Sequence, residues 1–144
     1  MPVTAKSSPL VSDILEAQFG PVAVRVLAQT DTKRIVAIYV KATNQVVQYA
    51  EVDFDPAGVG LYPLIHRKIR GGAIMGKSFR AAGVPYRRGE LSRTAYRLPQ
   101  HLKKLFGTDQ STGTRIEVVF EVGPGYQAYA RNIEIFSPAV IWPE

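Results

Sequence analysis

Residues 71–78 read GGAIMGKS and satisfy the phosphate-loop pattern GxxxxGK[ST]. In a working phosphate loop the backbone N–H groups wrap the phosphates, while Lys and Ser reach phosphate and magnesium. That chemistry needs a buried strand before the loop. The preceding stretch, LYPLIHRKIR, has apolar residues at helical spacing and four basic side chains that a central strand would not accept. The expectation is therefore a glycine corner between two helices. N–H groups at the start of the second helix would suit a carboxylate as well as a phosphate. Asp53 and Asp55 in DFDP offer a second pattern, a magnesium pair. Asp55 before Pro56 reads more simply as a helix cap or turn. Arg34 shares a strand face with Val36, Ile38 and Val40, so it either snorkels to water or turns into a pocket. Glu134 stands between Ile133 and Ile135. It faces solvent if the isoleucines make the core, and a pocket if its own face is covered.

Other chemistry is excluded by composition. The chain has no cysteine, so thiolate metal sites and disulfides are out. His66 and His101 are the only histidines and form no ligand pair, so neither a metal nor a cofactor is expected. The net charge of +6 favours an anionic partner. The basic residues are scattered among acidic ones rather than striped, so nucleic acid is not the expected partner. No apolar run approaches a membrane span, and MPVTAKSSPL lacks a signal-peptide core. A cytoplasmic protein is expected, with its oligomeric state left open.

The elements that position these residues follow from periodicity. Residues 1–144 read as one domain with a loose tail over 1–8. A short helix is predicted over Ser12–Phe19, stopped by Gly20-Pro21. Three valine-rich runs, 22–29, 34–40 and 46–54, predict a meander with short turns. Asp55-Pro56 opens a helical stretch carrying Leu61, Leu64, Ile65 and Ile69. A second helix covers Ile74–Ala82. Residues 84–112 are basic and mixed, with a helix near Pro99–Phe106. Two strands close the chain, one with Ile116, Val118, Phe120 and Val122 on one face, and one from about Ala128 to Phe136. Strands with helices inserted midway imply an α+β fold with a mainly antiparallel sheet.

Four segments, in this order, resemble chorismate–pyruvate lyase, the family that makes 4-hydroxybenzoate from chorismate. SDILEAQFGPVAVRV is similar to its opening helix and first strand. RIVAIYVKATNQVVQYAEVDF is similar to a strand pair opened by an arginine. GGAIMGKSF resembles its glycine corner, and RNIEIFSP its acid-bearing terminal strand. The resemblance implies about six antiparallel strands with helices packed on one side and the substrate between them. The effector domains of GntR-type regulators resemble the same fold and bind small acids without catalysis, which is the alternative reading. The family's substrate-binding arginine falls on Arg34 and its acid on Glu134. Met75 supplies the corner N–H that binds a carboxylate, and Gly76 follows it. The implied partner is chorismate, a dianion, and the implied reaction needs no cofactor. The chain departs from the family between its first two strands. There the lyase has a long lid-forming segment, and Gln29–Lys33 makes only a short turn, so a more open site is expected.

Overall fold

The computed structural model describes residues 6–7 and 10–142. Helix α1 (Val11–Phe19) buries Val11, Ser12 and Leu15 and ends at Gly20, whose φ of 84° a side chain would resist. The predicted meander follows as β2 (Val22–Gln29), β3 (Lys33–Val40) and β4 (Val46–Phe54). Asn44, at φ 62°, makes the β3–β4 turn. Asp55 then caps α2 (Pro56–Leu61), accepting from Ala57 N at 2.9 Å, as its place before Pro56 implied.

The helical stretch from 56 to 70 is two helices, not one. Tyr62 leaves helical geometry ahead of Pro63, where ring sterics disfavour the α region, and α3 (Pro63–Arg70) starts afresh. The break resets the phase, so Leu61 and Leu64 are exposed while Ile69 is fully buried. After the glycine corner comes α4 (Met75–Ala81).

The largest correction lies in residues 84–112. Tyr86–Arg97 forms β5, a twelve-residue strand, before α5 (Gln100–Phe106). Its four arginines, and a bulge between Glu90 and Ser92 that shifts the face alternation, hide the strand period. β6 (Thr112–Val122) and β7 (Gln127–Phe136) complete the chain. In the expected tail, Lys6–Ser7 is a strand, β1, paired antiparallel with Gly89 and Glu90. The rest of residues 1–8, apart from these two, lies outside the described residues.

The seven strands form one sheet in the order β1-β5-β6-β7-β4-β3-β2, and every pairing is antiparallel. Two meanders, β2-β3-β4 and β5-β6-β7, thus join where β4 meets β7. Helices α1 to α4 cover one face, where Leu15, Ile69 and Phe79 pack onto sheet residues such as Val36, Ile116 and Phe120. The short α5 adds a small layer on the other face, where Leu98, Leu102 and Phe106 cover Ala37, Val46 and Ile135. Both faces of the central strands are therefore buried. This explains why β3 reads as a continuous apolar run rather than an alternating one. Among the described residues no helix is long and apolar enough to cross a membrane.

The helical layer sits close to the sheet at Gly58. A Cβ there would lie 2.2 Å from the Ala128 carbonyl oxygen and 2.7 Å from Tyr129 Cα, both backbone atoms of β7. Gly58→Ala should therefore destabilise the fold by about 1–3 kcal/mol, the usual cost of overpacking. This opposes the gain that alanine normally brings to a helix. Urea denaturation measures the difference, and an equal or higher midpoint for the variant would contradict the packing.

Candidate functional site

A cavity lies between the sheet and the helices, enclosing about 630 Å³ of empty space including its mouth. Its floor is the face of the sheet on which β3, β4 and β7 present Arg34, Val36, Ala50, Val52, Asn132 and Glu134. Register explains the grouping: Val52 lies between Arg34 and Asn132, and Ala50 lies between Val36 and Glu134. The roof is α1 with the start of α4, through Leu10, Val11, Leu15, Ile74, Met75 and Gly76. All four residues expected at a site, Arg34, Met75, Gly76 and Glu134, line this one cavity.

Arg34 is 3% exposed. Its Nη1 donates to the carbonyl oxygen of Ile69 at 2.5 Å, and its guanidinium carbon stands 5.9 Å from the centre of the Phe54 ring. Its Nε has no hydrogen-bond partner, and no carboxylate pairs with it among the described residues. Burial pulls its pKa well below the usual guanidinium value, to about 10. Beyond Arg34, Tyr129 OH and His66 Nδ1 share a 2.6 Å hydrogen bond. Burial pushes the Tyr129 phenol up, and burial followed by the nearby Arg70 and Arg34 charges holds His66 below its usual value.

Glu134 is 5% exposed and ion-paired with Arg88, which is equally buried and reaches over β6 from β5. Asn132 Nδ2 adds a donor to its other oxygen at 3.4 Å. The alternative that Glu134 faces solvent fails because helices cover its face, while α5 and the opposite layer bury Ile135. The family resemblance did not point to Arg88, Asn132 or Gln48, all of which line the cavity. Arg88 sat in a segment not read as a strand. Asn132 had one available signal, since it shares the face of Glu134 two residues away.

The roof is held by polar ties. Asp13 of α1 takes two hydrogen bonds from Arg80 of α4, at 2.8 and 3.1 Å, and Glu16 pairs with Lys77. At its far end, Gln18 exchanges two hydrogen bonds with the backbone of Ile141, the N–H donating at 2.8 Å. The short Gln29–Lys33 turn is clamped by Arg70 Nη1, which donates to the carbonyls of Thr30 at 2.6 Å and Asp31 at 3.0 Å. Helix α1 and the start of α4 roof the cavity, and its floor residues Arg34, Val36, Ala50, Val52, Asn132 and Glu134 are all buried.

The phosphate-loop match is preceded by α3, not by a strand. Lys77 is occupied by Glu16, and Ser78 Oγ donates to the carbonyl of Ile74 at 2.8 Å. Neither residue lines the cavity. Lys77→Ala should change ligand affinity of the cavity less than fivefold and cost below about 1 kcal/mol of stability, as for a partly exposed ion pair. Tight magnesium-dependent ATP binding, abolished by this substitution, would contradict the assignment.

No protein-family model and no curated protein matches the chain. Several solved structures do. The effector domain of PhnF from Mycobacterium smegmatis aligns with a TM-score of 0.66 at 13% identity, over 92% of this chain and 89% of that one. The possible transcriptional regulator YydK from Bacillus subtilis aligns with 0.60 at 15% identity, over 97% and 68%. A GntR-family transcriptional regulator from Bacillus cereus aligns with 0.57 at 11%, over 85% and 96%. At these identities the likeness establishes the fold. It is the α+β fold expected, a mainly antiparallel sheet with helices packed on it.

Proposed function

We propose that the chain binds a small organic carboxylate in the sheet–helix cavity, with a hydroxylated ring acid as the best-fitting class. One observation carries the proposal: Arg34 is a buried, cavity-lining guanidinium without a carboxylate of its own. Desolvating an arginine without a counter-ion is costly, and a bound carboxylate removes that cost through a charge-assisted, bidentate contact. The N–H groups of Met75 and Gly76 precede the first bond of α4, Ser78 N to Ile74 O at 3.0 Å, and can share the same anion. Glu134 and Asn132 offer acceptors to the ring hydroxyl, and aliphatic side chains surround the ring. The fold shared with PhnF's effector domain is consistent with such a binding role.

A second reading is catalytic. It is favoured by the convergence in one cavity of the three lyase-like segments that carry Arg34, Met75–Gly76 and Glu134. In that reading the ligand is chorismate. A ring C–H proton is lost, the neighbouring ether C–O bond breaks with its electron pair going to the oxygen, and the departing enolpyruvate takes up a proton at its methylene carbon to become pyruvate, leaving the aromatic 4-hydroxybenzoate. The chain's residues would orient the side chain for departure and stabilise charge on the leaving oxygen. Because Arg88 and Asn132 both donate to Glu134, its fitting role is to accept from the ring hydroxyl rather than to protonate the leaving group.

Calorimetric titration with 4-hydroxybenzoate, followed by incubation with chorismate plus chelator and detection of both products, tests both readings. Saturable binding is expected from the first and product formation from the second. Binding without turnover would leave a non-catalytic acid-binding domain, and absence of binding would remove both.

A further inference from the structure

Three stretches of the chain, 56–65, 83–86 and 122–130, carry no formal charge beyond ordinary backbone. The fold brings them to one end of the sheet, where β4 and β6 finish and β5 and β7 begin. There Tyr86 and Gln127 both pair with Val122, and Phe54 pairs with Ala130. Direct contacts join the stretches. Gly58 of α2 packs on the backbone of Ala128 and Tyr129. Gly123 N donates to the carbonyl of Pro85 at 2.7 Å, and a Cβ on Gly123 would stand 2.8 Å from the Tyr62 hydroxyl.

The surface they form is apolar. Leu61, Leu64 and Tyr126 are 57%, 67% and 40% exposed, half of the large apolar side chains exposed among the described residues. Pro63, Pro85 and Pro124 are exposed beside them. None of these six lines the sheet–helix cavity, so the binding reading above leaves them unused. A single exposed leucine is ordinary, but a gathering from three segments marks a contact surface.

The border of the patch is cationic. Its acids are engaged: Asp55 caps α2, Asp53 pairs with Lys33 at 3.3 Å, and Glu121 pairs with Arg87 at 2.9 Å. The Arg87 guanidinium carbon also lies 4.3 Å from the centre of the Tyr126 ring. Arg67 and Lys68 are exposed and follow Leu64 by three and four residues, so they share its face of α3. Neither has an ion pair among the described residues. Lys68 lines a surface groove together with Lys41, which also has no ion pair there.

We infer that this end of the molecule docks peripherally on an anionic lipid bilayer. Leucines and prolines suit the acyl boundary, a tyrosine the headgroup level, and unpaired cations the phosphate-bearing headgroups. A second copy seated on the same patch would bring two cationic borders together, which disfavours that occupant.

Sedimentation of the full chain with vesicles tests this, using phosphatidylcholine alone and phosphatidylcholine mixed with phosphatidylglycerol. Wild type should pellet with the mixed vesicles, come off at high salt, and stay in solution with phosphatidylcholine alone. Leu61→Asn/Leu64→Asn should weaken binding at least about tenfold, because two aliphatic side chains no longer enter the acyl boundary. Arg67→Ser/Lys68→Ser should weaken it roughly tenfold or more and flatten the salt dependence. The latter changes only exposed polar side chains and decides the matter if the leucine variant does not fold. Wild type that stays in solution with the mixed vesicles, or binding that both variants retain, overturns the proposal. So does a solution dimer, seen by analytical ultracentrifugation, that Leu61→Asn/Leu64→Asn dissolves, since the patch would then belong to a second copy.

Discussion

Replacing Arg34 by methionine should weaken carboxylate binding by roughly ten- to a hundredfold while leaving the ligand-free protein as stable as wild type or more so. The loss follows from removing a hydrogen-bonded contact to a charged group, worth about 1.5–3 kcal/mol. The gain follows from desolvation. Burial lowers the Arg34 pKa from the usual guanidinium value to about 10, and at about 1.4 kcal/mol per tenfold this is on the order of 3 kcal/mol against the folded state at neutral pH. The lost donor to the Ile69 carbonyl offsets part of it. The sign with pH is fixed. Below pH 10 the folded and unfolded states both hold the proton and the full cost is present. Above about pH 10 the folded state releases the proton before the unfolded state does, and the cost fades. Urea denaturation of both proteins at pH 7 and near pH 10.5 should show the advantage of the variant shrinking. A variant that loses several kcal/mol at neutral pH would mean that Arg34 is a structural element first. Arg34→Lys should recover only part of the binding, because an ammonium lacks the planar fork.

The second large effect concerns the Arg88–Glu134 pair. Glu134→Leu removes one partner of a buried ion pair and leaves a guanidinium in the floor of the cavity, for which about 3–5 kcal/mol is usual. Glu90 Oε2 stands 3.9 Å from Arg88 Nη1 and softens the loss, so the lower end of that range is expected. Removing both charges in Arg88→Met/Glu134→Leu should restore most of the stability, since apolar replacement of a whole buried pair is often neutral. A double-mutant cycle in urea measures the coupling. Independent, additive effects of the two substitutions would show that the pair does not act as a unit. The restored double variant should still fail to distinguish hydroxylated from unhydroxylated ring acids, because the hydroxyl's acceptor has gone.

Much of this arrangement was legible in the residues. The valine-rich runs and their turn residues located β2, β3 and β4, and alternation put Arg34 on the face of Val36 and Ile38. The cap at Asp55 was equally plain, because a carboxylate before proline has few other uses. What escaped was governed by tertiary context. β5 gains its burial from the helices and from β1 and β6 at its sides, not from an apolar face of its own, and its bulge breaks the two-residue period. Arg88 therefore read as one more surface arginine. The split at Tyr62 was local and readable from Pro63, but the helical spacing of Leu61, Leu64 and Ile65 carried across it and masked the restart. Gln48 had one available signal, since alternation puts it on the apolar face of Ala50, Val52 and Phe54, opposite Glu51 and Asp53.

The order of the strands has a kinetic meaning. Each meander closes through neighbouring strands, so each can form from local chain. The seam between them, β4 against β7, joins segments from the first half and the end of the sequence, and its loop-closure entropy falls due last. Among the residues that meet across that seam are Val52 with Asn132 and Ala50 with Glu134. The binding site is therefore absent from either half alone and comes into being when the halves dock. An occupant of the cavity acts as a clasp on that joint. At a hundred times its Kd it would add about 2.7 kcal/mol to the docked state. Its footprint in hydrogen exchange should be slowed opening of the amides of β4 and β7, with β2 at the sheet edge left as labile as before.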